Sequence, residues 1–144
     1  MARLVALVVA VASLGVVASA QGARSSARSD AQVAALVTRG ITAINTAKAA
    51  AALKTLAVVK VELSTAQPAT ATVRTAKALA LQGFDYAIKQ LGAQLKAAQA
   101  MDEGDLDAAT KALDIPATWS TWATLVRKAQ NLLHLKVKLA ARFK

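Results

Sequence analysis

Apolar residues recur at intervals of three and four through most of this chain, and the places where that rhythm breaks divide it into helices. The first helix is expected to start at Ser29 or Asp30, either of which can cap it. Val33, Leu36, Val37, Ile41 and Ile44 then fall at helical spacing. Gly40 weakens its middle, and Asn45-Thr46 reads as a turn or kink with Thr46 capping the next helix. That second helix runs to about Leu63. Its end, Val59 to Leu63, alternates like a strand, but no partner strand is apparent elsewhere, so helix is the expectation. Pro68 closes the segment, because proline lacks the N–H donor and drives the preceding residue out of the helical region. A third helix is expected from about Ala71 to Met101, with Val73, Ala76, Ala80, Phe84, Ile88, Leu91, Leu95 and Ala98 as its apolar stripe. Asp85 stands four residues before Lys89, the favourable order for an ion pair along one helix.

The run from Asp102 to Asp107 closes the third helix. Gly104 suits a left-handed C-terminal cap and Asp105 suits the next N-cap. A short helix to about Leu113 follows. Asp114-Ile115-Pro116 then breaks the chain, with Pro116 in the first turn of a last helix expected to reach the C terminus. At 100° per residue, Trp122, Leu125, Val126, Ala129, Leu132, Leu133, Val137, Leu139, Ala140 and Phe143 share one broad face of that helix. Arg127, Asn131, His134, Lys138 and Arg142 form a stripe on the other. Lys136 falls inside the apolar face. It either snorkels, pairs with a buried carboxylate or marks a bend. The pattern as a whole predicts an all-α fold, a mainly antiparallel bundle of four or five helices.

Ahead of the bundle stands a run of another kind. Met1-Ala2-Arg3 gives a short basic start, Leu4 to Val17 is apolar without a charge, and Ala18-Ser19-Ala20 is a small-x-small cleavage site. Residues 1–20 therefore read as a signal peptide, with Gln21 the first mature residue. A short membrane anchor over residues 4–20 is the alternative, a little under the ~20 apolar residues that a span needs. The transit-peptide reading suits Arg24 and Arg28 among serines but not so uniformly apolar a run. Residues 21–29 are expected as a polar linker and 30–144 as the helical domain. The expected address is exported: periplasm, cell exterior or an organelle lumen.

Composition narrows the chemistry. The chain has no cysteine, so it has neither disulfides nor a thiol nucleophile or metal ligand. No Asn-x-Ser/Thr acceptor occurs. The formal net charge of +10 on 144 residues favours anionic partners, and no acid follows Asp114. An enzyme reading has little support. The one histidine, His134, lies on the expected solvent stripe, and neither a nucleophile elbow nor a glycine-rich phosphate loop appears. The acids of residues 102–107 lack EF-hand spacing and are read as caps and turns, so no metal site is assigned. Nucleic acid is a poor fit, because aromatics are scarce and no binding motif is present.

Some residues do point to binding. Arg127, Lys128, Lys138 and Arg142 make the C-terminal helix a candidate electrostatic docking face for an acidic protein complex or an anionic membrane surface. Trp119 and Trp122 are three apart and share a face, as core anchors or as an aromatic docking surface. No catalytic residue, small-molecule substrate or resident cofactor is assigned on this reading.

Asn45-Thr46 opening an Ala-rich helix, Pro68 closing it, Gly83-Phe84-Asp85 early in a long helix and Glu103-Gly104 in an inter-helix turn together resemble the periplasmic b-type cytochromes that fold as four-helix bundles. The resemblance covers about half of the chain after residue 20. It implies a helical bundle, and a haem held between a Met near the mature N terminus and a His in the last helix. Here Asp30 stands about where that Met would be. His134-Leu135-Lys136 is similar to the family's His-x-Lys, and Met101 is the remaining candidate for the second ligand. The bundle is carried over. A haem-binding electron carrier using His134 and Met101 is kept as the alternative to a non-catalytic, exported accessory protein.

Overall fold

A computed structural model describes residues 9–115 and 118–140, with residues 9–21 described by backbone alone. The described residues form five helices: α1 (Val9–Thr46), α2 (Ala49–Thr65), α3 (Ala71–Asp102), α4 (Leu106–Leu113) and α5 (Trp119–Leu132). No strand occurs among them, and the all-α expectation holds. The ambiguous stretch at the end of α2 shows why. A strand would bring residues 59, 61 and 63 to one face. Instead Val59 and Leu63, four apart, are fully buried, while Val61 is 65% exposed.

The long helix α3 is the hub, packing against each of the other four. It runs antiparallel to α2, since Lys77 near its start donates from Nζ to the carbonyls of Ser64 and Ala66, both at 2.7 Å. Those carbonyls close the C-terminal end of α2, where a cation is favoured by the helix dipole. Further along, Lys60 of α2 pairs with Asp85 of α3. The ion pair expected within α3 is thus made between helices, and Lys89 instead lies over the Tyr86 ring at 5.8 Å. α1 and α2 are antiparallel too, tied by Arg39 and Glu62 at 3.1 Å.

Two glycines set the spacing of the core. An added Cβ on Gly40 of α1 would fall 2.9 Å from both Cε atoms of Phe84 and closer still to Cζ, so the ring tip of Phe84 rests on bare backbone. Gly83 of α3 does the same for α5, with Val126 Cγ2 3.0 Å from where its Cβ would stand. Around these contacts Phe84, Trp122, Ile41, Ile44, Leu56 and Leu63 are fully buried.

Several boundaries differ from expectation. α1 is continuous from Val9, so residues 21–29, expected as a polar linker, are helical, and Asp30 lies inside the helix instead of capping it. Its carboxylate reaches across to the start of α3 and accepts from the amides of Ala69 (2.8 Å) and Thr70 (3.4 Å). Desolvation pushes the Asp30 pKa up, but hydrogen bonds from the Thr70 side chain and both amides outweigh it and hold the group below the usual aspartate range. Thr46 does not cap α2. Its hydroxyl donates back to the Thr42 carbonyl at 2.8 Å, and Lys48 occupies the N-cap position without a side-chain bond. By contrast Asp105 caps α4 as expected, accepting from Ala108 N at 2.9 Å, and Gly104 takes a φ of +77°. Among the described residues, no helix is long and apolar enough to cross a membrane. Residues 1–8, part of the expected signal peptide, lie outside them.

Candidate functional site

The largest departure from the sequence reading is at the C-terminal end. The last helix does not run to the end of the chain; α5 stops at Leu132. His134 takes a φ of +53°, its amide donates to the Asn131 carbonyl at 3.3 Å, and the amide of Leu135 donates to the Gln130 carbonyl at 2.9 Å. These two bonds and the left-handed residue form a Schellman stop. Gly104 ends α3 by the same pattern, with Gly104 N to Met101 O and Asp105 N to Ala100 O. His134 therefore occupies the place that glycine takes elsewhere in the same chain. Substituting His134→Gly relieves the left-handed strain and is expected to raise stability by about 0.5–1 kcal/mol, net of glycine's greater freedom when unfolded. Thermal or denaturant unfolding checks this, and a loss of stability in the glycine variant contradicts it.

Beyond the stop, residues 135–140 have no regular secondary structure and form a strap. Their exposure alternates. Leu135, Val137 and Ala140 pack partly buried on the core and Leu139 is buried, while Lys136 and Lys138 face solvent. The strap is pinned from both sides. Gln130 Nε2 of α5 donates to the Val137 carbonyl at 2.6 Å. The Asn45 amide of α1 donates to the Lys138 carbonyl at 2.8 Å and accepts from Ala140 N at 3.0 Å, pairing with the strap as a neighbouring strand would. The strap bridges α1 and α5.

This geometry redistributes the predicted docking residues. Arg127, Lys128 and Asn131 are exposed on α5, and Lys138 is exposed on the strap rather than on the same helix. Arg142 lies outside the described residues. The Gln130–Val137 bond sets the strap one helical turn from Arg127, so the basic surface is a composite of helix flank and strap. Lys136 belongs to it. As a helical residue it had to fall on the apolar face; as a strap residue it alternates outward with Lys138. The missed signal was Leu135-Lys136-Val137-Lys138-Leu139, which alternates with a period of two.

The other singled-out residues are placed differently. Trp122 is fully buried and meets Trp119 edge-on, with ring centroids 5.5 Å apart and planes at 84°. Trp122 is thus a core residue, not part of a docking surface, and Trp119 is partly buried beside it. Met101 is 60% exposed at the C-terminal end of α3. His134 lies past the C-terminal end of α5, and α5 runs antiparallel to α3, with Val126 opposite Gly83 and Thr118 bonded to Gln90. At 1.5 Å per residue these two side chains are roughly 35 Å apart along the bundle, so they do not converge on one iron. No group of three or more His, Cys, Asp or Glu residues converges among the described residues.

Comparison of the chain with known protein families, with curated proteins and with solved structures finds no match.

Proposed function

We propose that this is a non-catalytic accessory protein that docks on an acidic protein surface through the composite basic face of α5 and the strap. The observation that carries this reading is the alternation of the strap, which buries Leu139 and partly buries Leu135 and Val137 while leaving Lys136 and Lys138 exposed next to a helix whose Arg127 and Lys128 are exposed too. The exposed large apolar residues among those described lie elsewhere, on α2 (Val58 and Val61) and around α4 (Met101, Leu106 and Leu113). A face held by two side-chain anchors, with cations and no exposed large apolar residue in its described part, suits charge pairing with carboxylates better than insertion among lipids. The leader-like pattern of residues 1–20 supports an exported compartment for this activity.

The test separates position of charge from amount of charge. One variant carries Arg127→Gln, Lys128→Gln, Lys136→Gln and Lys138→Gln. A control carries the same four-charge change at the exposed residues Arg24, Arg28, Lys48 and Lys54. On immobilised polyglutamate at ~0.1 M salt, where screening acts beyond about 10 Å, the face variant is expected to bind at least about tenfold more weakly than the control. Equal weakening of the two variants would show that net charge alone is at work. A preference of the intact protein for phosphatidylglycerol vesicles over polyglutamate would move the partner to a membrane.

A further inference from the structure

At the junction of α3, α4 and the start of α5 lies an open cavity of about 730 Å³, within the size range of small-molecule sites. Its wall is apolar: Ala93 is buried, and Ile88, Gly92, Ala112 and Ile115 are half-buried. Three lysines line it, Lys89 and Lys96, two turns apart on α3, and Lys111 on α4. No carboxylate is among its lining residues. Asp107 and Asp114 line the neighbouring surface of α4, which Lys111 lines as well. Thr118, at the head of α5, is already engaged by Gln90, whose Oε1 accepts from its hydroxyl at 2.8 Å.

We infer that this cavity binds a singly charged organic anion with an aliphatic body, a fatty-acid-type carboxylate. The argument rests on charge complementarity joined to shape. An apolar wall takes the chain out of water, which is favourable in proportion to the area covered. Lys89 and Lys96, with Lys111 from the rim that it shares with Asp107 and Asp114, then meet a carboxylate at the mouth. Lysine ammoniums act as point charges rather than as the planar forks that hold phosphate at two oxygens, and a single carboxylate matches them. The Lys89 ammonium, resting over the Tyr86 ring, can leave that contact for a full negative charge. This site shares no residue with the basic face of α5 and the strap, so either can fail without the other.

Gly92 supplies the cleanest test. An added Cβ there meets nothing within 4 Å, and Gly92 lines the cavity, so a larger side chain has open space to occupy and also replaces glycine inside a helix. Calorimetric titration of the full chain with decanoate, below its micelle concentration, is expected to saturate at one molecule per chain. Decanol and decyltrimethylammonium are expected to bind at least about tenfold more weakly, because neither offers a negative charge to the lysines. Gly92→Leu should abolish binding while the unfolding temperature is kept or raised. The combined Lys89→Gln, Lys96→Gln, Lys111→Gln variant should lower affinity at least about tenfold. Failure of decanoate to saturate, equal affinity for decanol, or undiminished binding by folded Gly92→Leu would each overturn the inference. Should Gly92→Leu prove unstable, the lysine variant decides the matter alone.

Discussion

Gly40→Ala lowers the stability of the bundle by about 1–3 kcal/mol, and Gly40→Val lowers it further. Intrinsic helix propensity predicts the opposite sign, since alanine exceeds glycine by about 1 kcal/mol inside a helix. The decisive term is steric. A Cβ at this position would lie 2.9 Å from two carbons of the Phe84 ring and nearer to a third, well inside ordinary contact. The ring has little room to retreat, for Phe84 is fully buried in a core shared with Ile41 and Trp122. Either α1 and α3 separate or Phe84 leaves its rotamer. A native protein is stable by only about 5–15 kcal/mol, so the valine variant loses a large share of the total. Chemical denaturation measures the effect. Combining Gly40→Ala with Phe84→Leu should recover part of it, since the shorter side chain vacates the place that the new methyl needs. Gly92→Ala, with open space around its Cβ, should be neutral or stabilising on the same helix scale. Gly40→Ala as stable as the parent chain would mean that α1 and α3 are not held at this separation.

Much of the architecture was legible because punctuation and periodicity agreed. Pro68, Gly104 and Asp105 break the chain where helices meet, each for a local reason that tertiary contacts do not override. The second half of α2 was also readable once no partner strand could be found. Elements whose capping is tertiary were less legible. Asp30 looked like the cap of its own helix, yet it serves the N terminus of α3, 39 positions on. Nothing local distinguishes the two uses of an aspartate. Likewise Lys60 is the partner of Asp85, and only the packing of α2 on α3 could show it.

The basic face was legible as composition and misread as geometry. No glycine or proline marks the end of α5, because His134 fills the left-handed position. Without a breaker, the helical wheel continued over residues 133–140 and placed Lys136 among apolar residues. That single inconsistency was the clue. It disappears when the period changes from 3.6 to 2 at residue 135. The alternation competed with a helical pattern that fits Leu132, Leu133, Val137 and Ala140 almost as well, and the competition is settled by Asn45 and Gln130, two amides remote in the pattern. The cavity beside α4 was not legible, because its lysines read as ordinary solvent-facing charges and its emptiness depends on where α4 lies against α3.

Asn45→Ala is expected to cost about 1–3 kcal/mol although the residue has no charge and belongs to no predicted site, because two backbone groups of the strap lose their partner at once. Leu139→Ala is expected to cost about 2–3 kcal/mol, since Leu139 is the buried apolar anchor of the same strap. If the strap binds as a unit, the first substitution already releases what the second would remove. The double variant should then fall short of the sum by about 1 kcal/mol or more, whereas independent sites add within about 0.3–0.5 kcal/mol. Asn45→Asp provides an isosteric check. It loses the donor to the Lys138 carbonyl and sets a second acceptor against it, so it should not rescue the alanine variant. The functional consequence distinguishes this arrangement from a continuous C-terminal helix. Freeing the strap lets Lys136 and Lys138 drift from their fixed place against α1 and α5, so Asn45→Ala should weaken retention on polyglutamate without altering net charge. Retention unchanged in the folded Asn45→Ala protein, or strict additivity with Leu139→Ala, would show that the two lysines reach their partner from a tail that never needed to be held.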